Sequence, residues 1–169
     1  MGKNIILIGM MGCGKSTVGH LLAQRLGLAL ADTDALIEAR EGRSISDIFA
    51  QEGEARFRRL ELELCRELSG WNSHIIACGG GLPLQDEAIA ALKESGTVFW
   101  LDRDPQETYQ TLEVGGRPLA QGGLEDFVRR YQSRVPVYRR WAEHIVRAKS
   151  PQIAAALIDA LVTEEESKI

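Results

Sequence analysis

No stretch of this chain approaches the ~20 consecutive apolar residues that a membrane-spanning helix needs. The opening MGKNIILIGM runs into glycine-rich sequence without a leader-type cleavage pattern, which points to a cytoplasmic protein with no membrane partner. Cysteine is scarce: Cys13, Cys65 and Cys78 are odd in number and lack metal-ligand spacing, so neither a disulfide framework nor a zinc site is indicated. Small buried or loop thiols are the reading. A surplus of positive charge is also missing. With 20 Lys and Arg against 24 Asp and Glu the net charge is −4, which argues against a nucleic-acid partner, because coating a duplex needs a basic surface. Any anionic ligand must then be met by local charge. The three histidines, His20, His74 and His144, have no mutual spacing and are assigned no catalysis. Internal repeats, low-complexity tracts and an apolar oligomerisation seam are absent, so a monomer is the default.

What is present is an ordinary globular mixture. The 169 residues are 44% apolar and 26% charged, enough to bury a core and of a length for a single domain spanning 1–169. Asn4–Ile8 is a short apolar run ending at Gly9, as expected of a strand buried on both faces of a parallel sheet. Val18, Leu21, Leu22 and Leu26 then recur at helical offsets up to Gly27. Residues 28–31 predict a second strand closed by Asp32, and 36–41 a helix running to Gly42. The charge-rich segment 44–69 predicts two helices divided at Gly53. His74–Ala77 and 97–101 predict strands around a helix at 86–94, and His144–Val146 a fifth strand. The last helix, 153–162, is expected to bury Ile153, Ala156, Leu157, Ala160 and Leu161 on one face, before a frayed acidic tail. This alternation predicts a three-layer α/β domain with a mostly parallel sheet.

The sharpest motif is GMMGCGKST, residues 9–17, which satisfies G-x-x-x-x-G-K-[ST] between a strand and a helix. Gly9, Gly12 and Gly14 let successive N–H groups turn inward around a phosphate, and the following helix aims its positive end at the same point. Lys15 would reach the outer phosphates, and the Ser16 hydroxyl would ligate Mg²⁺. Asp32 and Asp34 lie at the end of the second strand, where open α/β sheets gather ligands. One carboxylate could hold a metal through water while the other accepts a hydrogen bond from a hydroxyl; a helix N-cap at Thr33 or Asp34 is the structural alternative. Gly79, Gly80 and Gly81 follow the third strand, a costly sequence unless the backbone must approach something closely or simply turn tightly into Pro83.

Arg58 and Glu61 are three apart and share a helix face, so the arginine can turn inward with Glu61 as a brace and offer its planar fork to a carboxylate. Arg56, Arg59, Arg129, Arg130, Arg139 and Arg140 read as solvated charges. Arg117 stands in EVGGRPLAQGG, residues 113–123, a stretch too broken for regular structure and suited to a mobile loop that shields phosphoryl transfer. Arg134 opens RVPVYRRW; Pro136 fits the first turn of a helix, which would direct Arg134 back toward the cleft.

Taken in order and spacing, GMMGCGKSTVG, DTD at 32–34, FRRLE at 57–61, the glycine triplet, RP at 117–118 and R-x-P-x-Y at 134–138 resemble the shikimate kinases over nearly the whole chain. The resemblance implies a P-loop, nucleoside-monophosphate-kinase-like fold whose five-stranded parallel sheet has the order 2-3-1-4-5. A substrate-binding helical region would cover 33–61 and a lid 113–123. It implies transfer of the ATP γ-phosphate to the 3-hydroxyl of shikimate with Mg²⁺. By position, Gly12, Cys13, Gly14, Lys15, Ser16 and Thr17 would bind the phosphates. Ser16 and, less directly, Asp32 would hold the metal, and Asp34 would take the reacting end of shikimate. Lys15, Asp34 and Arg117 would be catalytic. Arg58 and Arg134 would clamp the carboxylate beside Gly79, Gly80 and Gly81, and Arg117 and Gln152 would contact ATP. Cys78 before the glycine triplet and the short lid depart from common variants. A gluconate kinase of the same fold, or a nucleotide-driven switch, are the alternatives.

Overall fold

In the computed structural model, which describes residues 2–114 and 122–169, five parallel strands form one sheet in the order β2-β3-β1-β4-β5. These are β1 (Asn4–Ile8), β2 (Ala29–Asp32), β3 (His74–Ala77), β4 (Gly96–Leu101) and β5 (His144–Val146). The sequence-predicted strands and sheet order hold. Central β1 pairs with β3 (Ile6 opposite Ile76) and with β4 (Ile6 opposite Val98).

Successive strand side chains point to opposite faces, so the sheet divides the core. Ile6, Ile8, Ile76, Val98 and Trp100 pack on one side with Ile48, Phe57, Leu64, Leu92 and Tyr138. Ile5, Leu7, Ile75, Phe99 and Leu101 pack on the other with Val18, Leu22, Ala155 and Ile158. The first side is covered by α2 (Thr33–Glu41), α3 (Ile45–Glu52), α4 (Glu54–Leu68), α5 (Asp86–Ser95), α6 (Pro105–Val114) and α7 (Gly123–Trp141). The second is covered by α1 (Lys15–Leu26) and α8 (Pro151–Glu166). Ile6 is fully buried and meets strands on both sides, so Ile6→Ala should cost about 2–5 kcal/mol of stability. The check is urea unfolding, where the midpoint should fall at unchanged slope.

The helix stops follow local chemistry. Gly27 and Gly42 both adopt φ 66° and return their N–H groups to Ala23 and Glu38, closing α1 and α2. Gly53 separates α3 from α4 as the sequence predicts. Three expectations are corrected. Pro136 lies well inside α7 rather than in its first turn, a position normally disfavoured because the ring removes a backbone donor. On α8 the buried residues are Ala154, Ala155 and Ile158, while Ile153 (49%) and Leu157 (42%) stay exposed. Apolar residues occur all round this segment, and the small alanines let it approach α1 closely. Nor is the acidic tail frayed: Glu165 accepts hydrogen bonds from Thr97 Oγ1 (3.1 Å) and pairs with His144 Nε2 (2.7 Å), and the helix continues to Glu166. Of the expected lid, residues 115–121 and Arg117 with them lie outside the described residues.

Candidate active site

The loops leaving the carboxyl ends of β1, β2 and β3 converge on one cleft of about 580 Å³. After Ile8 the chain turns through Gly9 (φ 150°), Gly12 (φ 79°) and Gly14 (φ 102°), conformations that side-chain-bearing residues rarely adopt. α1 then begins at Lys15, whose ammonium donates to the carbonyls of Gly9 (2.7 Å) and Met10 (2.9 Å). Such a loop presents N–H groups and a helix N-terminus to an anion.

Asp32 joins two elements. Its Oδ1 accepts from the N–H of Ala35 (3.1 Å), making it the N-cap of α2 in place of Thr33 or Asp34. Its Oδ2 accepts from Ser16 Oγ (2.9 Å), bringing the two expected metal-site residues together. Asp34 sits two residues on, with Oδ1 buried and without a hydrogen-bond partner among the described residues. Burial, and then the neighbouring Asp32, raise its pKa above the usual carboxylate value, against the pull of Lys15 and Arg58.

At the glycine triplet an added side chain would press on the groups of the site. A Cβ at Gly79 would lie 2.5 Å from Asp34 Oδ1, one at Gly80 3.3 Å from Arg134 Nη1, and one at Gly81 2.6 Å from Arg58 Nη2. Since consecutive Cα atoms are about 3.8 Å apart, one carboxyl and two guanidinium groups stand against three successive residues of a short segment.

The two arginines are held differently. Arg58 Nη1 donates to Glu61 Oε1 (2.7 Å), the brace expected from the spacing, and Gln85 Nε2 donates to the same oxygen (2.7 Å). Glu61 is 1% exposed, and burial raises its pKa even beside the arginine. Arg134, on α7, has no carboxylate within ion-pair distance among the described residues; its Nη1 lies 3.9 Å from Met10 Sδ. A half-buried cation with no such partner, set against the glycine triplet, is suited to binding an anion.

Gly12, Gly14, Lys15, Ser16, Thr17, Asp32, Asp34 and Gly79 therefore line one cleft, and Arg58, Gly80, Gly81 and Arg134 adjoin it through the triplet. Cys13 lines a narrower adjoining recess, and all three cysteines are buried free thiols. Gln152 is exposed and touches neither cavity, while its neighbour Pro151 lines both. Arg103 was missed by sequence reasoning although it also lines both; its place just past β4 was the available signal. Thr33, Gln85 and Tyr138 were unassigned because their partners are 46, 24 and 58 residues away.

Fold and cleft together define a P-loop phosphotransferase. The shikimate kinase family model matches residues 11–163. A shikimate kinase of Clostridium botulinum (strain Eklund 17B / Type B) is 37% identical, with 97% of this chain and 95% of that protein covered. One from Symbiobacterium thermophilum is 47% identical over 70% of each chain. The structure of the Acinetobacter baumannii shikimate kinase in complex with shikimate superposes with a TM-score of 0.89 at 33% identity, covering 98% of this chain and 95% of that one. The chain belongs to the shikimate kinase family, and with that membership comes ATP-dependent phosphotransferase activity.

Proposed function

We propose that this chain transfers the γ-phosphoryl group of ATP to the 3-hydroxyl of shikimate, giving shikimate 3-phosphate and ADP. The observation that carries the reading is the row of Asp34, Arg134 and Arg58 set against the glycine triplet, beside the phosphate loop. A small hydroxylated acid needs a carboxylate for a hydroxyl and guanidinium forks for its acid group.

In this reading the loop 9–17 cradles the polyphosphate, and Lys15 leaves the Gly9 and Met10 carbonyls for the outer phosphates. Residues 33–61 and Arg134 hold shikimate. Asp34 aligns the hydroxyl oxygen with the γ-phosphorus. The new O–P bond forms as the bond to the ADP oxygen breaks, and the hydroxyl proton passes to Asp34 and on to solvent. Mg²⁺ suits the donors present: Ser16 Oγ and Asp32 Oδ2 are hard oxygens already side by side. This ion takes one or two protein oxygens and completes its shell with phosphate and water. Its contribution when bound is to neutralise charge on the outer phosphates.

Thermal unfolding with shikimate, with ATP–Mg²⁺ and with both tests the reading. Each ligand should raise Tm, by about 2.7 kcal/mol of stabilisation at a hundredfold excess over Kd, and both together should raise it further. A coupled ADP-release assay should respond to shikimate and not to gluconate, and excess chelator should abolish it. ADP release with gluconate alone would overturn the assignment.

A further inference from the structure

Thr33 and Tyr138 are both fully buried, and neither lines the cleft. Thr33 Oγ1 accepts from the N–H of Gly79 at 2.9 Å, in a bond buried from solvent. Tyr138 OH donates to the carbonyl of Gly80, also at 2.9 Å. The two hydroxyls therefore hold adjacent residues of the triplet's main chain from two separate helices, one from the first residue of α2 and one from α7. They grip the two glycines at which an added Cβ would meet Asp34 and Arg134. Glycine is the residue least able to hold such a conformation by itself, since it has the most backbone freedom to lose.

We propose that Thr33 and Tyr138 are positioning residues: they fix the glycine triplet as a template that sets the separation of Asp34 from the two guanidinium groups, and so set affinity for the acid acceptor. The inference rests on the proposed acceptor site. The Tyr138 phenol is suited to a permanent donor role, because burial pushes its pKa up to about 12, against the opposing pull of Arg134. Its ring packs against Trp100, 5.7 Å between centroids, and of the two acceptors in reach of the hydroxyl the Gly80 carbonyl is much the nearer, Met10 Sδ lying 3.7 Å away. The triplet also backs onto the phosphate loop: a Cβ on Gly80 would lie 3.4 Å from the N–H nitrogen of Met11 and 3.6 Å from the carbonyl oxygen of Gly9. A loosened template would disturb the acceptor side more than the loop, because a Cβ on the triplet would meet Asp34 at 2.5 Å and Arg58 at 2.6 Å but the loop only at 3.4 Å and beyond.

The test uses Thr33→Val, Thr33→Ser, Tyr138→Phe and the Thr33→Val/Tyr138→Phe double variant, assayed by ADP release with shikimate and ATP varied separately. Loss of either hydroxyl should raise the shikimate KM by roughly three- to tenfold, the scale of one hydrogen bond, with the ATP KM within twofold. Thr33→Ser should restore it, because serine keeps the acceptor oxygen. The double variant should fall short of the product of the single effects, since both bonds serve one peptide segment. A shikimate KM within 1.5-fold in Tyr138→Phe, an equal rise in both KM values, or no rescue by serine would overturn the proposal. Lack of shikimate phosphorylation by the unaltered protein would instead overturn the functional reading beneath it. If Thr33→Val fails to fold, Tyr138→Phe and Thr33→Ser decide the matter by the same criteria.

Discussion

Asp34→Asn is expected to lower kcat by about a hundredfold or more, the scale of a positioned proton acceptor, while the ATP KM moves less than about twofold. The amide keeps the size of the carboxylate but neither its charge nor its basicity. The pH profile carries a second signature. Burial and Asp32 raise the Asp34 pKa, so its conjugate base is lost at a higher pH than an ordinary aspartate's as the solution is acidified. The acid limb of kcat/KM for shikimate should thus lie above the usual carboxylate range, with activity rising as pH rises through it, and should vanish in the variant. Polyphosphate beside Asp34 would add negative charge and move the limb of kcat higher still. An unchanged rate in Asp34→Asn would remove the residue from the chemistry.

Arg134→Ala is expected to raise the shikimate KM by about thirtyfold or more, since breaking a buried charged hydrogen-bond pair costs about 2–5 kcal/mol. A rise below threefold would rule out the clamp. This variant reports binding more cleanly than its counterpart on α4. Arg134 has no ion-pair partner among the described residues, so its removal strands no carboxylate and should leave the unfolding midpoint almost unmoved. Arg58→Ala would leave Glu61, 1% exposed, without its guanidinium, and should lose stability as well as affinity. Side-by-side urea unfolding and initial-rate measurements separate the two cases.

The legible parts of this molecule were those written in contiguous residues. Glycines at 9, 12 and 14 with Lys15 announce a phosphate loop because the backbone geometry is local, and DTD lies within four residues of a recognisable strand. Arg58 and Glu61 share a helix face whatever the rest of the chain does, so their bond followed from spacing. The route to Arg134 was less visible. α7 is long, rich in charge and interrupted by Pro136, so local preference argues for a helix start where tertiary packing of Phe127 and Tyr138 carries the helix straight through. The buried face of α8 was ambiguous for the opposite reason, an excess of apolar residues on every side. Contacts such as Tyr138 to Gly80 are set only when the sheet brings distant segments together.

The division of the interior by the sheet has a bearing on how acceptor choice can change. Side chains from α2 to α7 that would shape the proposed acid pocket are rooted in one apolar layer, and the helix that follows the glycine-rich loop is rooted in the other. β1 feeds both layers through alternate residues. Substitutions that retune what is phosphorylated can therefore accumulate in one half of the molecule while the machinery that grips the phosphoryl donor keeps its own foundation.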